Sequence, residues 1–174
     1  SFRADPRVVS ALHGRFDAVS LANNHSGDYG HDAFVETMRH LSNAGIAYFG
    51  GGHNLAEAHR PLWIDKNGLK IAVLGYNEFK PRAFEAGASW PGVAWSEDDL
   101  VIADIRAAKA AGADLVIPFM HWGWEFEPEA SDRQVAREVA RSQVTQRHLR
   151  LDRSRDAARG EQPDAVGIAQ HLQH

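Results

Sequence analysis

The sequence predicts an α/β protein, because short apolar runs of strand length alternate with amphipathic stretches of helical spacing. Three observations carry this prediction. Apolar residues recur at helical spacing over 32–44, the predicted strand over 114–120 is continuously apolar after Asp114, and Asn67-Gly68 separates two β-rich segments. The chain has 174 residues, of which 44% are hydrophobic. This length is enough for one ordinary domain with its own core.

Local signals define the elements in the first part of the chain. Asp5 followed by Pro6 is typical of an N-cap and a first helical position. Gly45 is typical of a residue that ends a helix. In chain order, the predicted elements are a helix over 5–13, a strand over 17–22, a helix over 32–44 and a strand over 46–49 that runs into three glycines.

The second part of the chain contains a hairpin and a long irregular segment. Asn67-Gly68 allows the positive φ values of a type I′ turn, so 61–76 is predicted as a β-hairpin. Residues 77–96 show neither helical nor strand periodicity, and a segment of that length favours a flap or binding loop. The remaining predictions are a helix that starts at Ser96 and ends at Gly112, a buried strand over 114–120 and a helix that starts near Ser131.

Composition excludes several classes of protein. Residues 1–131 carry 17 Asp and Glu against 11 Lys and Arg, which argues against a nucleic-acid partner. No apolar run approaches the roughly 20 residues of a membrane span. The chain has no cysteine, so any transition metal would be held by His, Asn, Asp or Glu.

Polar side chains follow two predicted strands at the point where each strand ends. Asn23, Asn24 and His25 come after the first strand, and His121 follows the strand over 114–120. Ligands of open α/β sheets bind outside the carboxyl ends of strands, so neighbouring strands would bring these side chains into one crevice. Asparagine oxygen and imidazole nitrogen suit a divalent metal with a proton-transfer partner beside it.

Each of these residues also has an ordinary structural interpretation. Asn23 or Asn24 could close an Asx-turn, and His121 could simply pack against a neighbouring indole. Asp28 could shape the turn into the next helix, and Glu125 could be a solvated acid. The glycines before His53 lack the strand–GxGxxG–helix context of a phosphate loop, so His53 is assigned to a turn.

The ordered motifs Ala22-Asn-Asn-His25, Asp28-Tyr-Gly30 and His121-Trp-Gly-Trp-Glu125 resemble the CapA family of bacterial capsule synthesis proteins. The resemblance covers roughly residues 3–141. It implies a link to poly-γ-glutamate production and membership of the calcineurin-like metallophosphoesterase superfamily. The implied fold is an α/β/β/α sandwich with a mixed sheet and a dinuclear site for divalent ions of the Mn, Fe or Zn type at the strand ends.

The resemblance also implies roles for individual residues. Asn24 and His121 would be metal ligands and His25 the catalytic acid or base, with Asn23, Asp28 and Glu125 as further site candidates. The family's N-terminal Gly-Asp and C-terminal Gly-His-x-His motifs are not found in this sequence. We therefore expect an incomplete domain over 1–141 that binds metal weakly and is inactive by itself, followed by a divergent, poorly packed, Arg-rich tail over 142–174.

Two functions follow as hypotheses. The first is a metal-dependent, phosphatase-type hydrolase in capsule or poly-γ-glutamate synthesis, with a phosphoester substrate. The second is a non-catalytic component that binds an anionic polymer or a partner in a capsule-synthesis complex. Trp122 and Trp124 would wall the site. In either case the segment after the hairpin would contact the ligand through Tyr76, Asn77, Glu78, Lys80 and Arg82.

Overall fold

The computed structural model describes residues 1–79 and 82–136. The chain divides into two units, Ser1–Ser131 and Asp132–His174. In the second unit, residues 132–136 are helical, which confirms the helix predicted to start near Ser131. The predicted boundary after residue 141 and the Arg-rich tail lie outside the described residues. Within the described part of the chain, none of the helices combines the length and apolar character needed to cross a bilayer.

The first unit alternates helices and strands, which confirms the predicted α/β class. Asp5 caps a 3-10 turn, Pro6–Val8, by accepting a hydrogen bond from the Arg7 backbone N–H. The elements that follow are α1 (Val9–Leu12), β1 (Ala18–Ser20), α2 (Gly30–Asn43), β2 (Ala47–Phe49), β3 (Gly51–Gly52), α3 (Leu55–Ala58), β4 (Leu62–Lys66), β5 (Leu69–Asn77), β6 (Gly92–Val93), α4 (Asp98–Ala110) and β7 (Leu115–His121).

The strands of this unit form three hydrogen-bonded groups. β1 pairs in parallel with β2, and β3 pairs antiparallel with β6. The third group has the order β4-β5-β7 and is mixed, because β4 runs antiparallel to β5 whereas β7 runs parallel to it. Asn67 and Gly68 have φ values of 53° and 79°, which confirms the predicted hairpin turn between β4 and β5.

Contacts between the elements arrange them as α/β/β/α. α2 buries Phe34 and Met38 in a core shared with Leu21 beside β1. On the other side of the unit, α4 is joined to β5 by the Tyr76 hydroxyl, which donates to Asp104. The opposite face of β7 turns towards β2, where the Phe119 ring meets Phe49 edge-on at 5.8 Å. The groups β1-β2 and β4-β5-β7 therefore lie between the two long helices.

The three consecutive glycines after β2 have a packing role. A Cβ atom at Gly50 would lie 2.7 Å from the Ala22 Cβ and 3.0 Å from the Gly75 Cα, and Gly50 has a φ of +75°. A Cβ at Gly51 would lie 2.7 Å from the Phe34 ring. Side chains are therefore excluded where strand ends and helices approach most closely. The next residue, His53, follows β3 in the turn before α3, as predicted.

Two predictions about the second half of the unit need correction. The strand over 114–120 was expected to be buried, but Leu115, Ile117 and Phe119 are 40%, 39% and 49% exposed, because α4 covers only the opposite face. The segment over 77–96 was expected to be a loop or flap. Its last part instead contains β6 and a buried stretch that ends at Ser96, so it packs as part of the core.

Candidate functional site

The loop after β1 begins with a tight turn that uses Asn23. The Asn23 Oδ1 accepts a hydrogen bond from the His25 backbone N–H at 2.8 Å, which is the geometry of an Asx-turn. Ser26 closes the same turn by donating its hydroxyl to the Leu21 carbonyl at 2.7 Å. Because the Asn23 side chain bonds the backbone N–H of its own turn, the side chain of Asn24 is not needed in the turn. It can therefore contact another part of the fold. The ambiguity between the two asparagines is thereby resolved in favour of Asn23 as the turn residue.

Asn24 reaches across the fold to the end of β7. The His121 Nε2 donates to the Asn24 Oδ1 at 2.9 Å, although the two residues are 97 positions apart in the chain. β7 continues to His121, which is in register with Asn77 at the end of β5. The structure thus brings together the two predicted metal ligands at the ends of two strands.

The reason for this convergence differs from the one expected. β1 was expected to lie beside the strand that ends at His121, yet β1 pairs with β2 and β7 pairs with β5. The two loops meet because Phe49 and Gly50 at the end of β2 pack against the Gly75 region of β5. Stacking of two sheets, rather than pairing of two neighbouring strands, therefore assembles the site.

His25 is oriented by a carboxylate in its own loop. Its Nδ1 donates to the Asp28 Oδ2 at 3.0 Å, so in the neutral ring the lone pair lies on Nε2. The Phe2 backbone N–H also donates to Asp28, at 2.7 Å. These two hydrogen bonds hold the pKa of Asp28 below its usual value, and the bond from Phe2 has the larger effect. A histidine oriented in this way can accept or donate a proton at Nε2.

The surroundings of His121 favour the neutral form of its ring. Burial lowers the pKa of His121, and a positive charge on His25 lowers it further. A neutral imidazole is the form that binds a metal ion, because the coordinating nitrogen must carry a free lone pair. To bind an ion through Nε2, the ring would have to carry its proton on Nδ1, and the hydrogen bond to Asn24 would be lost.

The donor atoms fit part of a metal centre. Two ligands about 2.1 Å from one ion and at right angles to each other lie about 3 Å apart, close to the 2.9 Å between the Asn24 Oδ1 and the His121 Nε2. Among residues 1–79 and 82–136, however, no group of three His, Cys, Asp or Glu side chains could enclose an ion. Asn24 and His121 can thus supply two coordination positions, which is too few for tight binding.

Other predicted site residues lie apart from this pair or have local partners. Glu125 is exposed in the loop after β7. Asn77 is buried, and its Oδ1 accepts a hydrogen bond from the Phe79 backbone N–H. Glu78 is half-buried, and its backbone N–H donates to the His121 carbonyl. Lys80 lies outside the described residues.

Arg82 is neutralised within its own segment. Its guanidinium donates to the two Glu85 carboxylate oxygens at 2.6 and 2.7 Å and to Glu97 at 2.6 Å. These hydrogen bonds raise its pKa, those to Glu85 most. The Arg82 charge that was expected to contact an anionic ligand is thus already paired with two carboxylates.

The sequence did not predict a buried polar network. His59 lies next to a helical pattern in the sequence, which favours a surface position, but its side chain is only 10% exposed and its Nδ1 donates to Asp104 at 2.7 Å. Tyr76, which was predicted to contact a ligand, donates its hydroxyl to the same carboxylate at 2.8 Å. Because His59 and Asp104 are 45 positions apart, no local sequence signal links them.

A second missed feature is aromatic. The Phe2 ring meets His25 edge-on with ring centroids 4.5 Å apart, and the Phe79 ring lies 6.2 Å from that of His121. The sequence gives one indication that Phe79 could belong to the site, which is its position among the aromatic residues of the irregular segment over 77–96. Nothing in the local sequence indicates the contact of Phe2.

The chain is similar to known capsule synthesis proteins. Residues 1–145 match the family described as "Bacterial capsule synthesis protein PGA_cap". The chain is 33% identical over 128 residues to the "PGA biosynthesis protein CapA" of Bacillus subtilis, covering 73% of this chain and 33% of that protein. It is 34% identical over 136 residues to the "Capsule biosynthesis protein CapA" of Bacillus anthracis, covering 74% of this chain and 32% of that protein.

A third relative comes from Mycobacterium tuberculosis. It is named "Probable polyglutamine synthesis accessory protein" and is 30% identical over 145 residues, covering 75% of this chain and 38% of that protein. The chain thus spans about a third of the length of these curated relatives. The family match over residues 1–145 includes Asn24, His25 and His121. The chain belongs to the bacterial capsule synthesis protein family PGA_cap.

Proposed function

We propose that this chain carries part of a metal-dependent, phosphatase-type site of a protein that acts in the synthesis of a poly-γ-glutamate capsule. The observation that carries the proposal is the 2.9 Å contact between the Asn24 Oδ1 and the His121 Nε2, with His25 oriented beside them by Asp28. The names of the Bacillus relatives supply the link to capsule and PGA biosynthesis.

The proposed reaction is hydrolysis of a phosphoester. A bound divalent ion would neutralise phosphoryl oxygens and lower the pKa of an attacking water. Asn24 and His121 would hold one side of that ion. His25, with both ring nitrogens protonated, would give its Nε2 proton to the leaving alcohol oxygen as the water oxygen bonds to phosphorus and the P–O bond to that alcohol breaks. Asp28 would keep the His25 ring in the orientation that this proton transfer needs.

Binding of Mn²⁺ to the 174-residue chain tests the metal part of the proposal. In ¹H–¹⁵N NMR spectra, Mn²⁺ should broaden signals of Asn24, His25 and His121 first, with a dissociation constant in the millimolar range. His53, which pairs with Glu57 at 2.8 Å much as His25 pairs with Asp28, serves as the internal control. Equal broadening at His53 would contradict a site at Asn24, and tight stoichiometric binding in a calorimetric titration would contradict an incomplete one.

Turnover tests the catalytic part. With Mn²⁺ and p-nitrophenyl phosphate, we expect no turnover by this chain alone and measurable turnover by the longer Bacillus subtilis relative. Replacing the residue of that relative that aligns with His25 by alanine should abolish turnover and leave substrate affinity unchanged. If the longer relative has no phosphatase activity under these conditions, the hydrolase proposal fails.

A non-catalytic role is the second candidate. Two observations favour it: only two metal donors converge among the described residues, and the Mycobacterium tuberculosis relative is named as an accessory protein. In this case the site would bind an anionic polymer or a partner of the synthesis complex. The variant His25→Ala would then leave binding of a short poly-γ-glutamate chain unchanged, and no member of the family would hydrolyse a phosphoester through this residue.

A further inference from the structure

Aromatic rings lie next to two of the polar side chains of the candidate site. Phe2 contacts His25 edge-on. The Phe79 ring lies 6.2 Å from the ring of His121, and the Trp124 ring lies 6.4 Å from that of Phe79. Phe79 and Trp124, here named the aromatic pair, therefore extend from the predicted metal ligand outwards to the surface.

The exposure of the aromatic pair is suited to a ligand. Trp124 is 65% exposed, whereas Phe79 is half-buried and contacts rings on both sides. An aromatic side chain buries about 150–250 Å² when it is fully covered, so an exposed indole beside a polar site offers a large apolar surface. Ligand sites typically combine such rings with a few convergent polar groups.

The charges around Trp124 restrict the kind of ligand. Three exposed acids, Glu125, Glu127 and Glu129, follow Trp124 in the same loop. The guanidinium of Arg82 is neutralised by Glu85 and Glu97. A polyanion that crossed Trp124 would therefore meet carboxylates of the same sign. An uncharged ring would not be repelled.

We propose that the aromatic pair holds an uncharged ring on the alcohol side of a phosphoester whose phosphoryl group lies at Asn24, His25 and His121. The inference rests on the proposed phosphoesterase function and narrows its substrate class. A sugar ring and an aryl ring share the required chemistry, which is a flat apolar face without charge. A polyanionic chain does not have it.

The test compares phosphoesters with and without a ring on the full 174-residue chain. Phenyl phosphate, glucose 1-phosphate and glycerol 1-phosphate are titrated at millimolar concentration while the NMR signals of the Trp124 indole N–H and of His121 are followed. A ring-bearing ester should bind about fivefold more tightly than glycerol 1-phosphate, as expected when one aromatic contact is added. It should shift both signals together.

Three variants locate the effect. Trp124→Ala should remove the preference for the ring and keep the affinity for glycerol 1-phosphate. Phe126→Ala should keep the preference, because Phe126 lies in the same loop, is 99% exposed and makes no ring contact with the described residues. Phe79→Leu, which preserves apolar volume, should weaken the preference without unfolding the chain.

The outcomes separate this inference from the function on which it rests. Equal affinity for all three esters, or a preference that survives in Trp124→Ala, would contradict ring binding by the aromatic pair. The proposed phosphoester site would be unaffected. Tighter binding of a short poly-γ-glutamate chain than of any ester also overturns it. Failure of every phosphoester to shift His121 overturns the proposed function and the inference together. A preference for phenyl phosphate alone, or for glucose 1-phosphate alone, supports the inference and identifies the type of ring.

Discussion

Two loops of this protein are rich in polar side chains, and the structure uses them in opposite ways. In the strand-end loop, residues 23–29, the Asn24 amide contacts His121, which is 97 positions away. In the segment between β5 and α4, residues 78–97, which includes β6 and is here named the long loop, Arg82 contacts its carboxylate partners 3 and 15 positions away. Polar groups with local partners stabilise the loop that carries them. A polar group that reaches another part of the fold is a better indication of a site.

The two loops nevertheless meet. A Cβ atom at Gly27 of the strand-end loop would collide with the ring of Phe84 in the long loop. Phe84 is itself held by stacking on His31 at 4.7 Å and by an edge-on contact with Phe34 at 5.2 Å. We therefore interpret the long loop as a structural support for the strand-end loop. The following predictions test this division of roles, from the largest expected effect to the smallest.

The largest effect is expected from Gly92→Ala in the long loop. The added Cβ would lie 2.5 Å from the Ala86 backbone nitrogen and 2.7 Å from the Glu85 carbonyl carbon. Because backbone atoms cannot move aside as a flexible side chain can, the free energy of unfolding should fall by about 3 kcal/mol. Urea denaturation followed by circular dichroism measures the change.

The control for this prediction is Gly45→Ala. Gly45 has a φ of +69° but no atom within 4 Å of an added Cβ, so only backbone strain of about 1 kcal/mol is expected. Equal losses at the two glycines would contradict close packing of the long loop.

An intermediate effect is expected from Arg82→Gln. The substitution leaves Glu85 and Glu97 without their cation, but the Arg82 side chain is 43% exposed, and solvent screens the pair. The unfolding free energy should fall by about 1 kcal/mol, and NMR titration with glycerol 1-phosphate should give an unchanged affinity. Lost phosphoester affinity at unchanged stability would instead make the long loop a ligand-binding segment.

A smaller effect on stability is expected from Asn24→Ala. Water can replace the lost partner of His121, so the unfolding free energy should fall by only about 0.5 kcal/mol. Mn²⁺ affinity, measured by broadening of the His121 signals, should fall about tenfold or more.

Asn23→Ala is the matched control for this variant. It breaks the Asx-turn, so it should reduce stability by about 1 kcal/mol and still allow Mn²⁺ to broaden the His121 signals. If Asn23→Ala abolishes the broadening while Asn24→Ala does not, the two roles have been assigned the wrong way round.

The smallest effect concerns the pH dependence of Asp28. Its pKa lies below 3.8. The larger cause is the hydrogen bond from the Phe2 backbone N–H, and the hydrogen bond from His25 adds to it. A carboxyl with a depressed pKa in the folded state contributes stability at pH values above its unfolded pKa. That contribution is lost as the pH falls through the folded pKa. Carboxyl ¹³C chemical shifts between pH 2 and 6 measure this titration.

The effect of Asp28 on its partner His25 can be measured in the variant Asp28→Asn. Asp28→Asn should shift the ring signals of His25 and leave those of His53 unchanged, because the carboxylate of Glu57 serves His53. An unchanged His25 ring in Asp28→Asn would show that Asp28 does not orient it.

The sequence by itself determined the α/β class, the hairpin and the order of the longer elements, whereas the short β3, α3 and β6 were not predicted. These features depend on local chemistry. Asn67-Gly68 supplies two positive φ values, and α2 is defined by apolar spacing that buries Phe34, Met38 and Leu41. The motif around His25 and the one that ends at Glu125 also sufficed to indicate the family. Helix starts were off by one or two residues, as at α4, whose N-cap is Glu97 rather than Ser96.

Only the tertiary structure decided which side chains meet. Sequence alone could not tell Asn23 from Asn24, because the choice depends on which amide the turn uses and which one faces β7. It also could not pair His59 with Asp104 or predict that Arg82 is neutralised. The physical reason is that hydrogen bonds and ion pairs between distant residues depend on how sheets and helices pack. That packing is a property of the whole fold and leaves no local trace in the chain.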